Sequence, residues 1–145
     1  MRRKDRDCIM IAYKSDKFKL IDEKIIDYDD LAMKGQSLHA KHNKALVCLL
    51  HHTASDQLLV ALTTQLYFHP ALDYLKYAQC FYMSKQISRF ILQWAVTYGR
   101  EWKDFAIVIA GDFNSMPNQS AIGMIFNMEF DLPTEPNEPC ELAIH

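Results

Sequence analysis

Short apolar runs separated by polar turns dominate the first part of the chain. Residues 8–14 form a compact apolar run, and residues 18–28 alternate apolar with charged side chains after the polar turn at residues 14–17. The first pattern predicts a strand and the second a half-exposed strand. Together they predict an antiparallel hairpin near a sheet edge. The polar residues 29–43 are expected to form a loop.

Three further runs lack the alternation that a half-exposed strand would show. Residues 45–50 and 58–64 flank a polar turn at residues 51–57, and residues 105–110 read Phe-Ala-Ile-Val-Ile-Ala. Continuous apolar runs of this length are typical of strands that are covered on both faces. We therefore expect three buried strands at these positions.

One long amphipathic helix is predicted between the second and third of these strands, over residues 71–98. Apolar side chains recur there at spacings of three and four: Cys80, Met83, Ile87, Phe90, Ile91 and Trp94. Three glutamines recur every seven residues on another face: Gln79, Gln86 and Gln93. Pro70 is expected as the first helical residue and Gly99 as the C-cap. Ser120 is a candidate cap for a short helix at residues 121–128.

A strand, a helix and a second strand in this order predict a βαβ crossover, whose two strands run parallel. The carboxyl ends of both strands then lie at the same edge of the sheet, where open α/β sheets bind ligands. The polar side chains and helix-entry corner expected at that edge are Thr64, Gln65, His69, Pro70, Asp112 and Asn114.

The segment from Gly111 to Asn114 carries the strongest candidate chemistry. A carboxylate at Asp112 and an amide at Asn114 follow a glycine that lets the backbone leave the strand. An anionic oxygen beside a neutral hydrogen-bond donor suits a magnesium ion next to a phosphate. The alternative is an Asx-turn in which both side chains bond only to the backbone. From these residues alone, both interpretations remain open.

The histidines favour structural roles. His69 has the chemistry to contact a phosphate or ribose, or to cap the following helix and pack on Tyr67. The pairs His39/His42 and His51/His52 have no cysteine close by to complete a zinc tetrahedron, and solvated loops explain them. A short basic run, residues 2–4, is expected to be solvated.

Size and charge narrow the function classes. The chain has 145 residues, half of them hydrophobic, and a net charge of −2, so one domain with a core is expected and no general nucleic-acid affinity. We expect that domain over residues 1–130 and a loose acidic, Pro-rich tail at 131–145. Without a signal core or an uncharged membrane span, cytosol is the expected location, with the nucleus as the alternative. Buried, reduced thiols are expected at Cys8, Cys48, Cys80 and Cys140.

Four segments together resemble one enzyme family. Residues 111–117, Gly-Asp-Phe-Asn-Ser-Met-Pro, resemble the Gly-Asp-Phe-Asn-Ser-x-Pro signature of the endonuclease/exonuclease/phosphatase superfamily. Residues 63–70 resemble the Thr-His-Leu-Tyr-(aromatic)-His-Pro segment of its carbon-catabolite-repressor-type deadenylase branch, which includes Angel, nocturnin and 2′-phosphodiesterase proteins. Residues 7–14 and 43–47 are similar to two strands of that branch. The four segments follow the family's order.

This resemblance implies a magnesium- or manganese-dependent 3′–5′ exonuclease that acts on RNA, often on poly(A) 3′ ends, with partners in a deadenylase complex and no membrane. Asp112 matches the residue that binds metal and orients water, and Asn114 the residue that contacts phosphate and base. His69 lies in the matching segment, and Pro70 matches a base-pocket proline. Gln65 stands where the family has a phosphate-binding histidine. Glutamine carries no charge, so weaker phosphate binding is expected there.

The implied fold is a DNase-I-like α/β sandwich of two packed sheets with flanking helices, of which this chain is expected to hold the middle, truncated at both ends. Unpaired strand edges and exposed apolar surface are therefore expected. The family's upstream glutamate and downstream aspartate–histidine pair have no counterpart here. The isolated chain is thus expected to be inactive. The alternatives are a catalytically dead RNA- or protein-binding module, and a gene-model fragment without independent function.

Overall fold

The computed structural model of the chain describes residues 8–33 and 41–126. A four-stranded mixed sheet is its framework, in the order β1-β2-β3-β4, with β3 and β4 parallel and the other neighbours antiparallel. The elements in chain order are β1 (Phe18–Asp27), α1 (Asp30–Met33), β2 (Lys44–His52), β3 (Gln57–Gln65), α2 (Asp73–Tyr98), a 3-10 turn (Trp102–Asp104), β4 (Phe105–Asp112) and α3 (Ser120–Phe126). The predicted α/β class is confirmed.

The predicted βαβ crossover is confirmed, and its two strands are direct neighbours. Helix α2 connects β3 to β4, whose register runs from Leu58 opposite Phe105 to Gln65 opposite Asp112. Both strands are apolar along most of their length, which suits a parallel pair beneath a helix. Their carboxyl ends therefore lie side by side at one edge of the sheet.

The core lies between one face of this sheet and α2. Alternate residues of β3 point into it, among them Val60 and Leu62, and they meet the predicted helical stripe. The stripe is buried at Cys80, Met83, Ile87, Phe90 and Ile91, with Trp94 packed against its margin. Gly99 ends α2 with φ +61°, and the N–H groups of Gly99 and Arg100 donate to the carbonyls of Val96 and Ala95. The predicted C-cap is thus confirmed.

The opposite face of the sheet is partly uncovered. Strand β4 alternates between the two faces, and Val108 on this second face is 53% exposed. The expectation that β4 is buried on both faces is therefore wrong. In β1, Ile25 lies on the same face and is 64% exposed. The expected apolar exposure is present here, and β1 and β4 are the two edges of the sheet.

Residues 8–14 form no strand, contrary to the predicted hairpin. Strand β1 pairs with β2 instead, and a strand needs a neighbour for its own backbone groups. An apolar run alone predicts burial but not the pairing partner. The first residues of the expected loop at 29–43 contain the short helix α1, and residues 34–40 lie outside the described part.

Two element boundaries also differ from expectation. Pro70 lies in a turn before α2, where Leu72 N–H donates to the carbonyl of His69 at 3.2 Å, and the helix begins at Asp73. Strand β2 continues through His51 and His52, because both pair with β3. Within the described residues, no helix is both long and apolar enough to cross a membrane. The predicted tail lies outside the described residues.

Gly111 lies where any side chain on β4 would collide with the main chain of β3. Its φ is +150°, and a Cβ there would lie 2.1 Å from the carbonyl oxygen of Thr64. Both the conformation and the space require glycine. The main chain of β4 can therefore reach the end of β3 only with glycine at this position.

We predict that Gly111→Ala lowers the free energy of unfolding by about 3 kcal/mol, because the backbone of β3 or β4 must shift. Urea unfolding followed by circular dichroism measures this. Gly123→Ala makes the same chemical change in α3 where no atom lies within 4 Å of the added Cβ. It should be neutral or stabilising by about 0.5–1 kcal/mol. Equal effects of the two substitutions would contradict the close-approach argument.

Candidate functional site

The candidate site is built on the paired ends of β3 and β4. Gln65 lies opposite Asp112 in the parallel register, and Leu66 N–H donates to the carbonyl of Asp112 at 2.9 Å. This last bond extends the pairing one step beyond the strand. Gln65 and Asp112 are thus held side by side at the carboxyl edge, as the crossover predicted.

Asp112 is exposed and, with one of its two oxygens, forms the Asx-turn that was considered as the alternative to a metal site. Its Oδ1 accepts the N–H of Asn114 at 3.0 Å. Within the described residues, Oδ2 makes no hydrogen bond. The carboxylate therefore supports the turn while one oxygen remains accessible.

Asn114 joins the two loops that leave the strands. Its backbone has φ +46°, a left-handed conformation that asparagine tolerates better than most residues. Its Nδ2 donates to the carbonyl of Leu66 at 2.8 Å. Because an amide nitrogen carries two hydrogens, this bond leaves a second donor.

Two buried polar side chains of α2 reach the same loops. Lys76 is 1% exposed and its Nζ donates to the carbonyl of Asn114 at 2.8 Å. Gln79 is 1% exposed and its Oε1 accepts the N–H of Tyr67 at 3.0 Å. Lys76 was not predicted as a site residue, and Gln79 was expected on a helix face other than the apolar stripe. Lys76 and Gln79 precede Met83 of the apolar stripe by seven and four residues, and this helical spacing is the signal that places them on the buried face.

Lys76 also connects the site to α3 through Asp73. Its Nζ lies 3.9 Å from Asp73 Oδ1, a buried oxygen without a hydrogen bond. Ser120 Oγ donates to Asp73 Oδ2 at 2.5 Å. The hydroxyl of Ser120 is therefore used between helices, and the predicted capping role is wrong. Just before α3, the Gln119 Oε1 accepts the N–H of Met116.

His69 and Pro70 lie at an exposed corner next to this edge. His69 Nδ1 accepts the N–H of Ala71 at 3.2 Å, and its ring is nearly parallel to that of Tyr67, with centroids 6.5 Å apart. The packing of His69 on Tyr67 is thus confirmed, whereas its helix-capping role is wrong, because Ala71 lies in the turn before α2 and the N-cap residue Leu72 has no side-chain cap bond. A bond to Nδ1 as acceptor leaves the proton of the neutral ring on Nε2. Neither residue belongs to the lining of the groove that contains Asp112.

An open groove of about 420 Å³ lies at the strand ends. Its lining residues are Cys8, Ile9, Met10, Thr63, Thr64, Gln65, Gly111 and Asp112. Cys8 is exposed here, so its predicted burial is wrong, whereas Cys48 and Cys80 are buried as expected. Burial raises the pKa of the Cys80 thiol to about 12. Cys140 lies outside the described residues.

A second cavity of about 670 Å³ adjoins the groove and shares Cys8, Ile9 and Gln65 with it. It adds cationic and aromatic side chains, and Lys41 Nζ lies 4.7 Å from the centre of the Tyr67 ring. Its remaining lining residues are His42, Asn43, Lys44, Leu66 and Phe68. The open surface next to Asp112 therefore carries Lys41 and Lys44 on one side, with Lys44 paired to Asp27.

Behind this cavity, buried and charged groups fix the end of β1. Tyr28 Oη lies 2.7 Å from Thr64 Oγ1, and burial raises the pKa of Tyr28. Desolvation alone would raise the pKa of Asp29. The N–H groups of His42 and Lys41, together with the His42 ring, outweigh desolvation and hold that pKa below its usual value. His42 is therefore paired with a carboxylate.

The described residues contain no group of three or more His, Cys, Asp or Glu side chains that could together hold a metal ion. Asp112 Oδ2 is a single hard oxygen ligand at the groove. Magnesium is often bound by one or two carboxylates, with waters and substrate phosphates completing the shell. The site therefore offers such an ion one protein ligand, the Asp112 carboxylate, and does not enclose the ion.

No protein-family model matches the sequence. The CCR4-Not complex 3′-5′-exoribonuclease subunit Ccr4 of Candida albicans is 28% identical over 126 residues, which cover 79% of this chain and 16% of that protein. The Saccharomyces cerevisiae Ccr4 subunit is 27% identical over 130 residues, covering 82% of this chain and 16% of the relative. The chain thus spans about a sixth of these relatives.

Solved structures share the fold. The human nocturnin catalytic domain matches with a TM-score of 0.59 and 16% identity, covering 78% of this chain and 36% of that one. ANGEL2, described as a 2′,3′-cyclic phosphatase, matches with a TM-score of 0.58 and 25% identity, covering 78% and 30%. The chain therefore has about a third of a larger α/β architecture in common with both.

We predict different costs for two substitutions of Asn114. Asn114→Gly retains the left-handed backbone but loses the bond to Leu66, so it should destabilise by about 1 kcal/mol. Asn114→Ala also strains the backbone and should cost about 2 kcal/mol. Urea unfolding of both variants provides the comparison. If alanine were tolerated as well as glycine, the φ of Asn114 would carry no strain and the account of this turn would be wrong.

Proposed function

We propose that this chain, a member by fold and sequence of the endonuclease/exonuclease/phosphatase superfamily, carries the strand-end portion of a phosphodiesterase site. The proposed substrate is RNA, with poly(A) 3′ ends as the preferred candidate. The proposed reaction is magnesium- or manganese-dependent 3′–5′ hydrolysis. One observation carries the proposal. The register places Gln65 opposite Asp112 in one groove, with a carboxylate oxygen of Asp112 available there.

A bound divalent cation supplies charge neutralisation and an acidified water in such a reaction. Asp112 Oδ2 is the ligand that this chain offers to the cation. The second N–H of Asn114 Nδ2 donates to a phosphate oxygen, and the Gln65 amide adds a neutral donor. His69 Nε2 and the ring of Pro70 lie at the corner where a 3′-terminal nucleoside is bound. The roles of Asp112 and Gln65 are supported by their shared groove and by donor chemistry. The roles of Asn114, His69 and Pro70, which do not line that groove, are supported by the sequence resemblance.

The second candidate is a catalytically dead RNA- or protein-binding module of the same fold. It is favoured by the lining of the groove, which among the described residues contains no carboxylate besides Asp112 and no histidine. A general acid–base pair and a complete metal shell are both needed for efficient hydrolysis. We therefore propose that these 145 residues alone are inactive and that binding is their measurable property.

The relatives named above are subunits of the CCR4-Not complex. We propose by analogy that protein partners of a deadenylase assembly bind this chain, in the cytoplasm first and in the nucleus as the alternative. The partly uncovered sheet face with Val108 supports such an interaction, because apolar patches on soluble proteins often mark interfaces.

We predict weak, salt-dependent binding of a fluorescent A10 RNA to the full chain, tightened by Mg²⁺. Asp112→Asn retains the acceptor for the Asn114 N–H but removes the charge, so it should abolish the effect of Mg²⁺. Fluorescence anisotropy measures both affinities. Asp104→Asn, an exposed carboxylate at the opposite end of β4, is the matched control and should leave the Mg²⁺ effect intact. Undetectable RNA binding at low salt would reject both the nuclease and the RNA-module proposals.

We predict little or no Mg²⁺-dependent release of AMP from oligo(A) by the isolated chain, because Asp112 lacks catalytic partners in the described site. Chromatography of the nucleotide products checks this. Robust turnover that disappears in Asp112→Ala would overturn the proposed inactivity and establish the hydrolase directly.

A further inference from the structure

Lys76 and Gln79 are buried polar residues for which core packing gives no reason. Lysine is almost never fully buried without a partner, because its ammonium group loses hydration. Both residues are 1% exposed on the face of α2 that packs on the sheet. An apolar side chain at either position would pack in the core without that loss of hydration. The hydrogen bonds of their polar atoms must therefore explain why these residues are polar.

Each side chain bonds the main chain of a different loop. Lys76 Nζ donates to the carbonyl of Asn114, in the loop that follows β4. Gln79 Oε1 accepts the N–H of Tyr67, in the loop that follows β3. The two residues are one helical turn apart, so one rigid surface of α2 contacts both loops.

The loops are also bonded to each other. Asn114 Nδ2 donates to the carbonyl of Leu66, and Leu66 N–H donates to the carbonyl of Asp112. The four bonds form a continuous network from α2 through one loop to the other, which we call the loop clasp. Removing the Lys76 ammonium leaves a carbonyl unpaired at the centre of the clasp, at a cost of about 1–3 kcal/mol.

We propose that Lys76 and Gln79 are positioning residues that hold Gln65 and Asp112 in one groove by fixing the loop that follows each. The clasp is a structural claim about this chain. Its meaning for catalysis or RNA binding rests on the function proposed above. A purely structural role, in which the two residues only anchor α2 to the sheet, is the competing explanation.

The charge of Lys76 has a defined environment. Asp73 Oδ1, at 3.9 Å, is the nearby opposite charge, and Asp73 Oδ2 is engaged by Ser120. Asp73 is therefore too distant for an ideal ion pair, and the bond to the Asn114 carbonyl is the shorter contact of Lys76. Lys76→Met retains length and burial while removing the donor, which makes it the informative substitution.

Amide hydrogen exchange of the full 145-residue chain, followed by NMR, separates the two explanations. In Lys76→Met, we expect the N–H groups of Leu66, Tyr67 and Asn114 to exchange at least tenfold faster relative to Val60 at the centre of β3. Ile87→Val is the control, because it removes one buried methylene from α2 without touching a loop. It should change all four amides by a common factor. If the exchange rates of all four amides also changed by one common factor in Lys76→Met, the proposed clasp would be wrong.

Gln79 supplies a second test if Lys76→Met does not fold. Gln79→Met should accelerate exchange of the Tyr67 N–H at least tenfold relative to Val60, because the acceptor is lost. Gln79→Glu retains an acceptor oxygen and should restore protection of Tyr67. Equal exchange of Tyr67 in both variants would overturn the assignment of Gln79.

Binding of A10 RNA to the same variants distinguishes this inference from the proposed function. Faster loop exchange in Lys76→Met, together with no RNA binding by the unaltered chain, would uphold the clasp and reject the function. RNA binding that is unchanged in Lys76→Met, with loop exchange also unchanged, would uphold the function and reject the clasp. We expect faster loop exchange and at least a fivefold loss of affinity.

Discussion

The contact between Gly111 and Thr64 is the constraint on which the site depends. At this point β4 comes so close to β3 that a single Cβ would meet the Thr64 carbonyl oxygen at 2.1 Å. The next pair in the register is Gln65 and Asp112, so any widening at Gly111 separates the two polar side chains directly. A main-chain contact thus sets the distance between side chains that would share a ligand. The loops beyond it need the further bonds supplied by Asn114, Lys76 and Gln79.

The sequence predicted the elements near the site better than their surroundings. The period of the α2 stripe and the glycine at its end gave the helix to within two residues of its start, and its position between two apolar strands gave the parallel pair. The strand predicted at residues 8–14 is absent, because an apolar run carries no information about which strand it pairs with. The predicted burial of β4 on both faces was wrong, because its apolar composition suits two covered faces, whereas in the described part only one face is covered.

The site itself was predictable in position but not in bonding. The order of strand, helix and strand was enough to bring Gln65 to the same edge as Asp112, whereas the Gly-Asp-Phe-Asn segment left a metal-binding carboxylate and an Asx-turn both open. Local sequence did not indicate that Asn114 would bond to Leu66, which is distant along the chain. Nor did it identify Lys76 and Gln79, because polar residues on a helix are ordinarily assigned to its solvated face. The helical stripe that contains them was the missed signal.

The central claim is that the paired ends of β3 and β4 form a cation-dependent phosphate site. Paramagnetic broadening of amide signals by substoichiometric Mn²⁺ in the full chain tests it most directly, because broadening falls steeply with distance from the ion. The account predicts the strongest broadening at Gln65, Gly111, Asp112 and Phe113, and its loss in Asp112→Asn. Broadening centred on the carboxylates of Asp27, Asp29 and Asp30, or none at the strand ends, would contradict it.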